Sequence, residues 1–293
     1  MKILVTPRSV TRGGHPSLEK LRAAGCEVVF CKAGAQPTED ELRALLPGCV
    51  GYLAGVEPVT ARALEAADRL RAISRNGTGV DNVDLAAAKT RGVAELAIGL
   101  LVALARGVIP ADNALKRGGW ERGSAGVELE GKTLGLVGCG RIGKLVARMA
   151  LGCDMKVVAF DALPDLKFNP GEGFRFTTLD EVISRADFLS LHCPPAADGR
   201  PLLDAAALAK LKRGAFLINT ARYDVFDADA VLAALDSGAL AGLALDAFDT
   251  EPPTDARLAK HPRVIATPHI GGFTRESIDR AMTVAVDNLL AAL

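Results

Sequence analysis

The feature that most restricts the fold is a glycine motif in the middle of the chain. The apolar run Thr133–Val137 leads into Gly-Cys-Gly-Arg-Ile-Gly, and a helical pattern over Ile142–Met149 follows. In a strand–turn–helix unit of this kind, Gly138 permits the tight turn, Gly140 lets the backbone approach a pyrophosphate, and Gly143 lets the helix pack on the strand. The helix N-terminus offers free N–H groups to the phosphates. The motif therefore predicts a dinucleotide site.

An acidic residue follows the next predicted strand. Lys156–Phe160 runs into Asp161, 18 residues after Gly143. A carboxylate there accepts hydrogen bonds from a ribose diol and repels a 2′-phosphate, which favours NAD over NADP. The alternative is that Asp161 is a solvated turn residue and the glycines serve packing only.

Short apolar runs alternate with Ala- and Leu-rich helical stretches along the whole chain. This alternation predicts an α/β fold with parallel sheets, right-handed crossovers and strands buried on both faces. The predicted strands are Lys2–Val5, Glu27–Phe30, Gly51–Ala54, Arg71–Ser74, Thr133–Val137, Lys156–Phe160, Phe188–His192, Ala215–Asn219, Gly242–Leu245 and Val264–Ala266. The predicted helices are Pro16–Ala24, Thr38–Leu46, Thr60–Ala66, Ile142–Met149, Asp204–Lys210 and Asp227–Ser237.

The predicted strands fall into two series, which indicates two domains. A helical stretch from Ala94 to about Trp120, broken near Pro110, separates them. The last predicted helix, Thr274–Leu293, follows the second series and could return to the first domain. We therefore expect a first domain over residues 1–93, a second over 94–270, and a C-terminal return over 271–293.

Charge and cysteine usage argue against several other classes of protein. The 35 basic and 35 acidic residues balance, so we expect no general attraction to nucleic acid or to a membrane surface. The six cysteines form no C-x-x-C pair and have no histidine cluster beside them, which argues against a metal site. With no signal-peptide pattern and no apolar run of about 20 residues, we expect a cytoplasmic protein with reduced thiols.

Hydride transfer to NAD also needs a group that takes the hydroxyl proton, and histidine is the natural base, with an unperturbed pKa near ~6.5. The chain has four: His15, His192, His261 and His269. His269 follows the strand Val264–Ala266, and open α/β sheets bind ligands at that end of their strands.

Two charged residues follow neighbouring predicted strands. Arg222 comes soon after Ala215–Asn219, and Glu251 comes after the strand that ends near Asp246. An arginine fork can hold a carboxylate and polarise an adjacent carbonyl, and a carboxylate beside a histidine favours the imidazolium and fixes its tautomer. Arg222, Glu251 and His269 therefore fit a substrate anchor, a group that tunes the histidine, and an acid/base. Their spacing in the sequence does not by itself show that they meet.

Short polar and glycine-rich stretches recur over most of the chain. They are Ser74–Asp84, Trp120–Arg122, Gly131–Gly135 with the glycine motif, Leu191–Pro194, Ile218–Arg222, Asp246–Phe248 with Glu251-Pro252, and Pro268–Gly272. In this order the set resembles the D-isomer-specific 2-hydroxyacid dehydrogenase family, particularly its phosphoglycerate dehydrogenase-like branch. The resemblance implies a Rossmann NAD domain inserted in a flavodoxin-like substrate domain, two doubly wound parallel sheets, and a homodimer formed through the NAD domain.

The resemblance also implies roles for matched positions. For chemistry it implies His269 as acid/base, Glu251 as its partner and Arg222 as substrate anchor. Thr78 and Gly79 would bind the substrate carboxylate, and Gly55 and Val56 would form the other wall of that pocket. The positions implied for the cofactor are Gly138, Gly140, Arg141, Ile142, Gly143, Asp161, Cys193, Thr220, Ala221 and Asp246, the last near the carboxamide.

Three departures from the family pattern bear on function. Family members carry about a dozen more residues between the positions that match Val93 and Ala94, enough to span roughly 40 Å when extended. Either the protein lacks this connector or the sequence omits it, and its loss should unwind the helix or shift the domains. Tyr223 stands where a glycine usually follows the arginine, so its ring could narrow the pocket or crowd the cofactor. Glu57 stands near the position of an arginine of the animal-type phosphoglycerate enzymes and would repel a phosphate if it faced the site.

The sequence thus predicts an NAD-dependent oxidoreductase that acts on a small D-2-hydroxy or 2-oxo acid. An alternative is an NAD(H)-sensing binding protein of the same fold with little catalysis, which the shortened connector favours and intact Arg222, Glu251 and His269 disfavour. A relative that acts on formate or phosphite is a third possibility. Pocket shape sets the substrate side chain, and the sequence does not reveal it.

Overall fold

The computed structural model describes residues 1–75, 85–120 and 125–293, with the backbone alone for 85–89. The chain divides into two compact units. The first contains residues 1–89 and 272–293, and the second contains residues 90–271. The second unit is thus inserted in the first, with boundaries one to four residues from those expected.

The elements alternate between strand and helix along the described chain. In chain order they are β1 (Lys2–Val5), α1 (Arg8–Thr11), α2 (Leu18–Ala23), β2 (Glu27–Phe30), α3 (Glu39–Leu45), β3 (Cys49–Ala54), α4 (Ala61–Leu64), β4 (Ala72–Arg75), α5 (Leu85–Arg106), α6 (Val108–Lys116), β5 (Thr133–Val137), α7 (Arg141–Leu151), β6 (Lys156–Phe160), β7 (Phe174–Phe176), α8 (Leu179–Arg185), β8 (Phe188–Leu191), α9 (Ala205–Leu208), β9 (Ala215–Asn219), a 3₁₀ turn (Tyr223–Val225), α10 (Ala228–Asp236), β10 (Leu240–Leu245), α11 (Arg257–Lys260), β11 (Val264–Ala266) and α12 (Arg275–Ala292).

The first unit is built on a parallel sheet with the strand order β2-β1-β3-β4. Successive residues of a strand point to opposite faces. Accordingly, Ile3 and Val5 pack in one apolar cluster, whereas Leu4 packs in another. Helix α12 supplies Met282 and Leu289 to the first cluster, so the C-terminal helix belongs to this unit.

The second unit contains a parallel sheet of seven strands in the order β11-β10-β9-β8-β5-β6-β7. Leu217 and Ile218, adjacent in β9, are fully buried in different clusters, so both faces of the sheet are covered. The strand order reverses between β5 and β8, and ligands bind at such a switch point. The predicted fold class, two doubly wound parallel sheets with a Rossmann unit inserted, is confirmed.

Several details differ from expectation. The short edge strand β7 and the helices α1, α8 and α11 were not among the predicted elements. The helical stretch breaks at Gly107, which has a φ of 59°, and not at Pro110. Pro110 lies in the first turn of α6, where its missing N–H costs no helical hydrogen bond. Helix α5 continues through Val93 and Ala94, so the missing connector does not unwind it.

Within the described ranges, no single helix is long and apolar enough to cross a membrane. Thr90–Arg106 and Val108–Lys116 meet that test only as a pair, and they are bent by 65°.

Candidate active site

The glycine turn has the close contacts that its sequence predicts. Gly138 has a φ of 90°, and a Cβ added there would lie 2.6 Å from the His192 carbonyl. A Cβ on Gly143 would lie 2.2 Å from the carbonyl oxygen of Gly138. By contrast, a Cβ built on Gly140, the N-cap residue of α7, would have no described heavy atom within 4 Å apart from its chain neighbours. Close packing therefore requires glycine at positions 138 and 143. Gly140 instead leaves open space in front of the N-terminus of α7, where Arg141 and Ile142 lie.

Asp161 lies against the glycine turn. Its Oδ2 atom accepts a hydrogen bond from the Cys139 N–H at 2.7 Å, and its Oδ1 atom accepts one from the Leu163 N–H at 2.9 Å. Asp161 is therefore more than a solvated strand-end residue, because its carboxylate is fixed beside the first glycines. A carboxylate has about four acceptor positions, so each oxygen can still accept from a ribose hydroxyl.

Two buried polar atoms at the ends of β8 and β9 lack a hydrogen-bond partner in the part of the chain that the structure describes. They are Nδ1 of His192 and Oγ1 of Thr220. Burial lowers the pKa of His192 to about 4, so the ring is neutral near pH 7. Buried polar groups are costly unless they are paired, so these atoms fit contacts with a polar ligand such as a dinucleotide.

The neighbouring predicted groove residues follow the same strand ends. The backbone nitrogen of Cys193 would lie 2.8 Å from a Cβ on Gly138, and burial raises the pKa of the Cys193 thiol. Ala221 donates its N–H to Oδ1 of Asn219 at 3.0 Å. These contacts bring Cys193 to the glycine turn and tie Ala221 to the end of β9.

His269 and Glu251 meet in the second unit. Nδ1 of His269 lies 2.7 Å from Oε1 of Glu251, and both side chains are partly exposed, at 33 % and 44 %. A carboxylate only accepts hydrogen bonds when ionised, so Nδ1 carries the proton and Nε2 is left for a ligand. His269 has a φ of 52°, a left-handed conformation that is uncommon for a residue with a side chain.

Asp246 holds the turn that carries His269. Its Oδ1 accepts from the Thr267 hydroxyl at 2.6 Å and from the Ile270 N–H at 2.8 Å, while Oδ2 accepts from the Gly271 N–H at 2.8 Å. The residue is only 2 % exposed. We expected Asp246 to line the cofactor groove, and sequence reasoning missed these contacts, which fix the backbone on both sides of His269.

Arg222 is exposed at the end of β9. Its Nη1 donates to the Ala221 carbonyl at 2.7 Å, and its own carbonyl accepts from Nδ2 of Asn219 at 2.8 Å. Among the described side chains, no hydrogen bond joins Arg222 to His269 or Glu251. Asn219, which is fully buried, was not predicted as a site residue. The signal for it was present, since Asn219 is a polar residue that ends an apolar strand.

The Tyr223 ring packs against other aromatic rings. Its centroid is 5.3 Å from that of Phe226 and 6.4 Å from that of Phe248. The ring therefore fills space between the turn after β9 and the loop after β10.

The predicted substrate residues Gly55 and Val56 belong to the first unit. The Gly55 N–H donates to Oε1 of Glu57 at 2.9 Å, and the Val56 side chain is 51 % exposed. Glu57 is 4 % exposed and also accepts from the hydroxyls of Tyr52, at 2.5 Å, and Thr6. Burial raises the pKa of Tyr52 and keeps its hydroxyl a donor. The Glu57 carboxylate is thus turned into the interior of the unit.

Arg75 is pinned to the same loop, because its Nε donates to the Gly55 carbonyl at 3.1 Å. Thr78 and Gly79 lie outside the described residues. Over the described ranges, no group of three or more His, Cys, Asp or Glu side chains could hold a metal ion.

Comparison with known proteins identifies the second unit. Residues 98–271 match the family described as D-isomer specific 2-hydroxyacid dehydrogenase, NAD binding domain. The chain belongs to this family. The predicted resemblance and the predicted NAD cofactor are therefore confirmed.

Two solved structures resemble the whole chain. The TT0316 protein of Thermus thermophilus is 36 % identical, with a TM-score of 0.85 and coverage of 100 % of this chain and 96 % of that one. The D-lactate dehydrogenase of Escherichia coli is 27 % identical, with a TM-score of 0.83 and coverage of 99 % and 96 %.

Among curated proteins, the D-3-phosphoglycerate dehydrogenase of Rattus norvegicus is 38 % identical over 276 residues, which cover 87 % of this chain and 52 % of the relative. The chain spans about half the length of the curated relatives that it matches.

Proposed function

We propose that the protein is an NAD-dependent oxidoreductase that interconverts a small D-2-hydroxy acid and the matching 2-oxo acid. The observation that carries the proposal is the pair of His269 and Glu251, joined at 2.7 Å within the unit that binds NAD. Relatives named D-3-phosphoglycerate dehydrogenase and D-lactate dehydrogenase support the same substrate class.

His269 is the acid/base in this proposal. Its Nε2 takes the hydroxyl proton when a 2-hydroxy acid is oxidised and returns a proton to the carbonyl oxygen in the reverse direction. Glu251 accepts the hydrogen bond from Nδ1, fixes the tautomer and stabilises the imidazolium that forms. Bound NAD would supply the hydride acceptor or donor for the substrate C2 carbon.

Arg222 anchors the substrate. Its guanidinium is exposed, and the only bond that it makes among the described residues is to the Ala221 carbonyl, which leaves several of its five N–H donors available. A guanidinium binds a carboxylate through two parallel hydrogen bonds and so orients the adjacent C2 carbon. Asn219 fixes the backbone from which Arg222 projects.

The cofactor lies along the ends of β5, β6, β8 and β9 in this proposal. Gly140 and the first turn of α7, with Arg141 and Ile142, bind the pyrophosphate. Asp161 binds the ribose diol and excludes a 2′-phosphate. Thr220 lines the remaining groove with Cys193, Ala221 and Asp246.

We also propose a homodimer formed through the second unit. None of the nine residues of α6 is buried within the chain. Exposed apolar side chains continue along this segment, with Val108 at 47 %, Ile109 at 42 %, Leu115 at 58 % and Trp120 at 83 %. Contiguous exposed apolar surface marks interaction sites. Light scattering coupled to gel filtration tests this, and Leu115→Glu should shift a dimer towards the monomer.

A cytoplasmic location belongs to the same proposal. All six cysteines are unpaired, as is usual in a reducing compartment. Fractionation of expressing cells checks the location.

The direct test of the proposed activity is NADH oxidation, followed by absorbance, with a panel of 2-oxo acids. The panel contains glyoxylate, pyruvate, hydroxypyruvate, 2-oxobutyrate, phenylpyruvate and 3-phosphohydroxypyruvate. We expect turnover with at least one of them. Tight NADH binding without turnover across the panel would contradict the proposal and favour an NAD(H)-sensing protein.

A further inference from the structure

An aromatic contact joins the turn that carries Arg222 to the loop that carries Glu251. Tyr223 follows Arg222 directly, and its ring lies nearly parallel to that of Phe248, with 28° between the planes and 6.4 Å between the centroids. Phe226, which is 3 % exposed, also contacts the Tyr223 ring, with 5.3 Å between the centroids, and so packs that ring against the core. The two loops follow different strands, and these rings connect them.

The contact continues to the acid/base. The Phe248 N–H points to Oε1 of Glu251 at 3.5 Å, a long hydrogen bond, and the same oxygen lies 2.7 Å from Nδ1 of His269. A continuous series of contacts therefore runs from the backbone of Arg222 through two stacked rings to His269.

The ring of Tyr223, more than its hydroxyl, makes this connection. Tyr223 is half-buried, and burial raises the pKa of its phenol, so the side chain stays neutral at physiological pH. Both of its described aromatic contacts are made by the ring face or edge. A glycine, which usually occupies this position in the family that the sequence resembles, would remove them.

We infer that Tyr223 is a positioning residue that fixes the Arg222 turn relative to Glu251 and His269 through its stack on Phe248. The inference rests on the proposed function. Arg222 has no described hydrogen bond to the other two residues. The pairing of β9 with β10 fixes the two strand ends, and the stack of Tyr223 on Phe248 links the loops beyond them. Catalysis is sensitive to such placement, because substrate and acid/base must meet in a narrow range of geometries.

Steady-state kinetics on the best substrate of the panel test this role. Tyr223→Gly should raise the KM for the 2-oxo acid roughly tenfold with a smaller change in kcat. The energy of an aromatic pair corresponds to a change of up to roughly tenfold in an equilibrium constant. Tyr223→Phe keeps the ring and should restore the wild-type KM. Phe248→Leu removes the other ring and should reproduce the effect of Tyr223→Gly.

Phe176→Ala is the matched control. Phe176 contacts Phe174 edge to face at 5.1 Å in β7, at the edge of the sheet far from β9 and β10. Its loss removes a comparable aromatic pair from the same unit, so it should lower stability without raising KM. An unchanged KM in Tyr223→Gly, or an equal rise in Phe176→Ala, would overturn the inference.

Amide hydrogen exchange of the protein without substrate separates this inference from the proposed function. Tyr223→Gly should speed exchange in residues 219–226 and also in 247–254, whereas Phe176→Ala should leave both segments unchanged. An unchanged exchange rate in residues 247–254 of Tyr223→Gly would overturn the inferred link between the two loops, even if the enzyme is active. If the wild type turns over no substrate, the proposed function fails. The exchange result alone then decides whether the Tyr223–Phe248 contact links the two loops.

Discussion

Nδ1 of His269 lies 2.7 Å from Oε1 of Glu251, and a different carboxylate, that of Asp246, fixes the turn that carries His269. Asp246 accepts hydrogen bonds from Thr267, Ile270 and Gly271, on both sides of the histidine. The two acids therefore have separate tasks. Glu251 acts on the ring and its proton, and Asp246 acts on the backbone that aims the ring.

The first prediction concerns the ring. Glu251→Gln keeps a hydrogen-bond acceptor but removes the charge that stabilises the imidazolium, so kcat should fall by roughly 10²-fold. NADH affinity, measured by fluorescence titration, should stay within about twofold, because the described hydrogen-bond partners of Glu251 are His269 and the Phe248 N–H, and neither is a predicted cofactor residue. His269→Ala should abolish turnover and leave NADH binding intact. Parallel loss of binding and turnover would contradict the assignment.

The second prediction concerns the backbone around His269. Asp246→Asn puts an amide N–H₂ against N–H or O–H donors, so at least one of the three hydrogen bonds to this buried side chain is lost. Stability should fall by about 2 kcal/mol, and kcat should fall with it. Asp249→Asn, an exposed neighbour on the same loop, is the matched control and should change neither quantity. Equal effects in urea unfolding of the two variants would exclude the bracing role of Asp246.

The third prediction separates two glycines of one motif. Gly143→Ala forces a Cβ to within 2.2 Å of the Gly138 carbonyl oxygen, and the strain should cost about 2 kcal/mol. Gly140→Ala meets no described atom within 4 Å and should cost less than about 1 kcal/mol. Its Cβ occupies the approach of the pyrophosphate, so NADH affinity should fall roughly tenfold or more. Thermal unfolding and NADH titration of both variants check this, and the reverse ranking would be inconsistent with the site.

The fourth prediction is a dependence of stability on pH. Burial lowers the pKa of His192 to about 4, whereas the unfolded chain has a value of about 6.5. Below about pH 6.5 the unfolded state binds a proton that the folded state does not. The contribution of His192 is therefore fully present above that pH and is lost as the pH falls towards 4. From about pH 8 to about pH 5 the loss is on the order of 2 kcal/mol.

Urea unfolding of the wild type and His192→Gln at both pH values measures this contribution. The drop in the free energy of unfolding should be smaller in the variant by that amount, since carboxylates elsewhere titrate equally in both proteins. An identical drop would show that His192 is not buried as a neutral ring.

Much of this site could be predicted because parallel strands bring their carboxyl ends together. Asp161 and His269 were predicted from their position after a strand, and Gly138 and Gly143 from a spacing that close packing demands. The details that were missed depend on packing between segments distant in sequence. No local pattern shows that Glu57 turns inward to Tyr52, or that the Tyr223 ring lies on Phe248. The break at Gly107 was misjudged, since Pro110 is tolerated in a first helical turn.

In the proposed reaction, a hydride from NADH is added to C2 of a 2-oxo acid. The measurement uses NADH with deuterium at both C4 positions, the best 2-oxo acid of the panel other than glyoxylate (whose product has no D or L form), and mass spectrometry of the product after chiral chromatography. We expect the D-2-hydroxy acid with a single deuterium at C2, and no such product from His269→Ala. An unlabelled product, the L isomer, or no 2-hydroxy acid at all would contradict it.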